Sequence, residues 1–190
     1  MTGVAWDRWV PTALTILLIA QEIYAGRRSR ADAQARDRGS LYVVWLLTGL
    51  GYFMAFKLWG SGHPPGPRLG RWALGAGAVV GLAGMALRVW SVRTLGRYFT
   101  FVVKVTDDQP VIETGPYRLL RHPSYAGALM TAVGVGLSLR YAYAPLLIAV
   151  PQLLGLAVRM QVEERALGEA LGEPYRAYMR RTKRIVPFVW

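Results

Sequence analysis

The chain has 190 residues, 53% of them apolar and 18% charged, with a positive mean hydropathy and a formal net charge of +12. It contains no cysteine, which excludes disulfides, thiolate metal sites and a cysteine nucleophile. Its two histidines, His63 and His122, stand far apart in sequence and do not make a histidine-rich metal centre.

The apolar residues come in blocks separated by short arginine-rich segments, the pattern of membrane spans rather than of a soluble core. Five spans are predicted, at residues 9–25, 41–59, about 72–92, 125–139 and 141–160. The first block is too long for a removable signal peptide and lacks a small-residue cleavage site, so it reads as a span. The fourth is short for a hydrocarbon core of ~30 Å crossed at ~1.5 Å per residue. Pro123 suits a first helical turn and lets that helix start earlier.

Arginine placement gives the orientation. Arg27, Arg28, Arg30, Arg36 and Arg38 follow the first span, and Arg93, Arg97, Lys104, Arg118 and Arg121 follow the third. Arg165, Arg176, Arg180, Arg181, Lys183 and Arg184 follow the fifth. The alternate segments hold only Arg8, then Arg68 and Arg71, then Arg140. The positive-inside rule then puts the N-terminus outside and the C-terminus in the cytoplasm. The basic charge is thereby assigned to membrane topology and anionic lipid headgroups, with no role for nucleic acid.

Within the third span, Gly75, Gly77, Gly81 and Gly84 mimic a dinucleotide fingerprint at a glance. The last glycine is one residue late and no strand precedes the run, so Gly77 and Gly81 are expected to let helices approach closely. Lys57, near the outer end of its span, can snorkel to the interface. Arg88, about a turn from the cytoplasmic end, carries two open readings: a snorkelling side chain, or an anion ligand in a site. Pro64, Pro65, Gly66 and Pro67 form a stiff outer connector, with His63 as a solvated neighbour.

Residues 96–123 are too long a connector to be a simple turn, and long ordered connectors are usually functional. The fourth span leaves the cytoplasmic face just after Arg121-His122-Pro123, turns near Arg140, and the fifth returns to Glu163-Glu164. A basic cluster, a histidine and two carboxylates are therefore expected on one membrane face, either as a site or as interfacial salt bridges.

Gly115-Pro116-Tyr117-Arg118-x-x-Arg121-His122-Pro123-x-Tyr125-x-Gly127 is followed by Glu163-Glu164-x-x-Leu167 and Gly172-x-x-Tyr175-x-x-Tyr178, then Arg181 and Pro187. In order and spacing these residues resemble the isoprenylcysteine carboxyl methyltransferase family and its relatives among membrane phospholipid methyltransferases. The resemblance covers about residues 94–190, so the chain divides into three N-terminal spans, 1–93, and a methyltransferase-like region, 94–190. It implies an all-α integral membrane enzyme that uses S-adenosylmethionine, held in a cytoplasmic pocket between the loop before the fourth span and the C-terminal tail.

By the same resemblance Tyr117, His122, Pro123, Tyr125, Gly127, Glu163 and Glu164 would bind the cofactor. Arg121, His122 and Glu164 would serve the chemistry, with Arg121 on the cofactor carboxylate or an acidic acceptor. The acceptor it implies is lipophilic or prenylated and drawn from the membrane, with carboxyl O-methylation first and phospholipid N-methylation as the alternative; no metal is required. An NADPH-dependent sterol-type reductase of related architecture is the other enzyme class, and the Glu163-Glu164 pair would repel the 2′-phosphate of its cofactor.

Overall fold

A computed structural model describes residues 3–28, 39–62, 66–101 and 110–186. The arginines at 30, 36 and 38, His63, Lys104 and Pro187 lie outside the described residues. Among the described residues six α-helices follow one another: α1 (Gly3–Arg28), α2 (Gly39–Gly60), α3 (Trp72–Leu95), α4 (Pro123–Ser138), α5 (Ala144–Leu171) and α6 (Glu173–Arg181). Two 3-10 turns, Gly96–Tyr98 and Gly115–Arg118, stand between α3 and α4.

Among the described residues α1, α2, α3 and α5 are long and apolar enough to cross a membrane. Their outer faces carry Ile16, Leu17, Leu46, Phe53, Val79, Leu82, Leu146 and Leu154, all exposed, as expected of surfaces that meet lipid. The predicted fourth span differs. The 16 residues of α4 are too few for that class, and most of them are buried, Ala132, Val135 and Ser138 among them. It is the central helix, wrapped by α1, α3 and α5.

Glycine makes that centre possible. A Cβ on Gly134 would lie 2.6 Å from the Gly77 carbonyl oxygen, and one on Gly84 would lie 2.6 Å from that of Gly127. The helices α3 and α4 therefore touch backbone to backbone, antiparallel, along nearly the whole of α4. Gly77 and Gly81 thus act as the sequence suggests, in close packing of apolar helices. A second small-residue seam joins α2 to α5, where Gly51 faces Leu147 and Ile148 and Gly155 faces Val44. Gly134→Val should force α3 and α4 apart, at a cost of about 1–3 kcal/mol for overpacking. Gly49→Ala is the matched control, because nothing lies within 4 Å of the added Cβ. Thermal unfolding of both variants in detergent measures the difference, and equal midpoints would remove the seam from the account.

The end of the bundle opposite the chemistry is pinned by charge. Asp7 accepts from Arg68 at 2.9 Å and from Arg140 at 2.7 Å, and Arg140 also donates to the Leu69 carbonyl. These contacts tie α1, the α2–α3 connector and the α4–α5 turn together at the level where the sequence puts the outer face.

Candidate functional site

The site is built from the segment before α4, the last turns of α5, and α6 with the strand-like residues after it. Gly115 opens the 3-10 turn with φ +57, a conformation that disfavours a side chain, and the turn buries Tyr117. His122 has φ −125 and ψ 56, off the helix, because Pro123 excludes a helical conformation at the residue before it. The backbone N–H groups of Arg121 and His122 donate to the carbonyls of Lys183 and Arg184, at 2.7 and 2.9 Å. The later tail thus fixes the histidine's main chain.

The two glutamates divide. Glu164 is held by three cationic or potentially cationic groups. Its Oε2 accepts from Arg184 Nη2 at 2.7 Å, and its Oε1 lies 3.2 Å from His122 Nε2 and 2.9 Å from Arg121 Nε. The last contact is an ion pair by distance, but the Nε–H has no acceptor in line, so it counts as charge attraction and not as a directed bond. Arg121 spends its directed bonds on the carbonyls of Met179, at 2.6 Å, and Thr182, at 3.2 Å, which end α6. That use of a guanidinium at exposed helix-end carbonyls locks α6 against α4.

Glu163 turns the other way. Its Oε1 accepts from the Tyr125 hydroxyl at 2.6 Å and from Arg159 Nε at 2.8 Å, while its Oε2 stands 3.6 Å from His122 Nδ1. Arg159 also donates to Ser40 Oγ on α2 and to the Phe101 carbonyl. The rings of His122 and Tyr125 stack, with centroids 5.4 Å apart and planes 8° from parallel. Burial pushes the hydroxyls of Tyr117, Tyr175 and Tyr178 well above the ordinary tyrosine range, so they stay protonated. Tyr178 donates its proton to the Tyr117 and Leu120 carbonyls.

Two cavities flank these residues. The first, of about 890 Å³ and open at one side, is walled by Tyr98, Val111, Ile112, Tyr117, Arg121, His122, Tyr125, Glu163, Leu167 and Tyr175. The second, of about 1100 Å³, lies among the long helices and is walled by Leu18, Glu22, Val44, Trp45, Arg88, Ala128, Leu156 and Arg159. The two chambers therefore share one wall, formed by Phe99, Thr100 and Tyr125.

Of the residues singled out by sequence, Tyr117, Arg121, His122, Tyr125 and Glu163 line the first cavity. Pro123, Gly127 and Glu164 stand behind it. Pro123 starts α4, and Gly127 is pressed against Gly84 and Arg88, where a Cβ would lie 2.6 Å from the Gly84 oxygen. Arg88 does not snorkel: it is 6% exposed, pairs with Glu22 at 2.8 Å and donates to Ser124 Oγ at 2.9 Å. Arg159 and Arg184 were not singled out. Arg159 carried a usable signal, a lone cation in an apolar helix four residues before Glu163.

Residues 77–169 match the model of the isoprenylcysteine carboxyl methyltransferase family. Protein-S-isoprenylcysteine O-methyltransferase B of Arabidopsis thaliana is 32% identical over 66% of this chain and 64% of its own length. A probable protein-S-isoprenylcysteine O-methyltransferase of Oryza sativa is 31% identical over 60% of each chain. The chain thus matches less than two thirds of these relatives. A solved structure of the eukaryotic intramembrane Ras methyltransferase superposes with a TM-score of 0.65, at 18% identity, over 99% of this chain and 70% of that one. At that identity the likeness speaks for the fold.

Proposed function

From the match of residues 77–169 to the isoprenylcysteine carboxyl methyltransferase family, we propose that the chain is a membrane methyltransferase acting on the carboxylate of a lipophilic, isoprenylcysteine-like acceptor. The observation that carries the reading is the meeting of the two cavities at Tyr125. A charged, water-borne methyl donor suits the first chamber, and a greasy acceptor from the bilayer suits the second. Residues 94–190 then supply the donor site, while the helices of 1–93 share the acceptor wall with α4 and α5.

The first chamber has the chemistry that S-adenosylmethionine needs. Glu163 presents a carboxylate to an ammonium, Arg121 a cation to a carboxylate, and Val111, Ile112, Leu167 and Tyr175 apolar surface to a purine. When bound, that cofactor supplies an electrophilic methyl on a sulfonium, transferred in line to the acceptor oxygen. Tyr125 marks where the two meet. A carboxylate acceptor needs no base, only orientation and exclusion of water. The cations on the acceptor side are Arg88 and Arg159, both buried, whereas Arg121 lines the donor chamber. His122, held through Glu164 and stacked on Tyr125, keeps the wall between the chambers in shape.

In the bilayer, the arginine pattern supports an N-terminus outside and a cytoplasmic C-terminus, with α4 as a fifth, shortened crossing shielded by its neighbours. The alternatives part at one experiment. The purified protein, given labelled S-adenosylmethionine and a membrane extract, is expected to yield a lipid-soluble product that loses its label in mild alkali, as a methyl ester does. Alkali-stable label would point to N-methylation. Thermal stabilisation by NADPH but not by S-adenosylhomocysteine would overturn the methyltransferase reading.

A further inference from the structure

Resting on that methyltransferase reading, we infer that the membrane cavity holds a second polar subsite, formed by Gln152 and Thr48, for a hydroxyl group carried on the acceptor's tail.

Gln152 on α5 lines the cavity and is 7% exposed, yet its Oε1 receives no donor. Thr48 on α2 lines the same cavity, and its buried Oγ1 is also without a partner. The register brings them together: α2 and α5 touch at Gly51 against Ile148 and at Val44 against Gly155, and Thr48 and Gln152 fall between those contacts. Buried polar atoms in a bilayer are costly unless paired. Several helix hydroxyls elsewhere meet that need, although the Tyr52 hydroxyl and Gln21 Oε1 are also without a partner. Thr12, Thr15, Ser91, Thr94 and Thr131 each turn the hydroxyl back to a carbonyl four residues earlier in the helix. Thr48 leaves that option unused.

The pair offers one acceptor, the Gln152 carbonyl, and one hydroxyl able to donate. A ligand hydroxyl answers both, donating to Gln152 and accepting from Thr48. A plain hydrocarbon answers neither. Gln152 stands seven residues before Arg159 on α5, roughly 10 Å along the helix. With the acceptor carboxylate beside Arg159, the hydroxyl belongs about eight bonds out along an extended tail. The preferred acceptor is therefore an oxygenated lipid acid and not a pure hydrocarbon tail.

The test uses the whole protein in nanodiscs, labelled S-adenosylmethionine, and two S-alkyl thioglycolic acids of equal chain length. One tail is plain; the other carries a hydroxyl about eight bonds from the carboxylate. The hydroxylated acid is expected to show a lower KM, on the order of tenfold, at similar kcat. Gln152→Leu combined with Thr48→Val should abolish or reverse that preference while keeping the wild-type stabilisation by S-adenosylhomocysteine. Equal KM values for the two acids in the wild type would overturn the subsite, as would a preference untouched by the double variant, and water would then be its occupant. If neither acid accepts label and S-adenosylhomocysteine gives no stabilisation, the methyltransferase reading falls and takes the subsite with it.

Discussion

Glu164→Gln is expected to cost the protein about 3–5 kcal/mol of stability, the range for breaking a buried charge cluster on one side. The carboxylate is 10% exposed and balances Arg121, Arg184 and the His122 ring at once. A neutral amide would leave two guanidiniums facing each other across the junction of α4, α5 and the tail. Glu163→Gln should do the opposite. Glutamine still offers an oxygen to Tyr125 and Arg159, so the fold holds, but the first cavity loses its negative wall. S-adenosylmethionine binding should weaken by about 1.5–3 kcal/mol, the worth of a hydrogen bond to a charged group. Thermal unfolding and calorimetric titration on both variants separate the two roles. A Glu164→Gln protein as stable as wild type but unable to bind the cofactor would exchange the assignments.

The second large effect is expected at Arg159. Its guanidinium is 2% exposed and joins Glu163, Ser40 and the Phe101 carbonyl, so three separate segments converge on one side chain. Arg159→Met keeps much of the volume but strands Glu163 beside His122. Methyl transfer should fall more than a hundredfold, since the residue also faces the acceptor cavity, and the unfolding midpoint should drop. Arg159→Lys tests the shape of the group: a lysine retains the ion pair but cannot reach three acceptors in a plane. It should regain much of the stability and little of the rate. Near-normal turnover in Arg159→Met would remove the arginine from the acceptor side.

Much of this is legible in the amino-acid sequence alone. Hydropathy blocks gave four of the long helices, and the spacing of Arg121-His122 and Glu163-Glu164 across a helical hairpin foretold their meeting. Periodicity could not divide the work of Glu163 and Glu164. Adjacent residues on a helix point about 100° apart, so one faces the cavity and the other the tail, and only the packing of α5 decides which. The bonds of Arg121 to the carbonyls that end α6 were not legible for a related reason: no local pattern announces the return of α6 over α4. The apolar stretch of α4 reads as a membrane span, and its burial follows from glycines on both α3 and α4 that let the two backbones meet.

The pairing of the tail with the segment before α4 sets an order of events in the life of the chain. Residues 121 and 122 reach the membrane face early in synthesis, but the carbonyls of Lys183 and Arg184 that hold them are made some sixty residues later. The hydrophobic helices can insert and associate in the meantime, while the donor chamber stays unformed. On the proposed methyltransferase reading, the donor site is complete only once the last helix docks. A chain released between α5 and α6 would leave in the bilayer a bundle whose Arg121, His122 and Glu164 lack the tail that pairs with them.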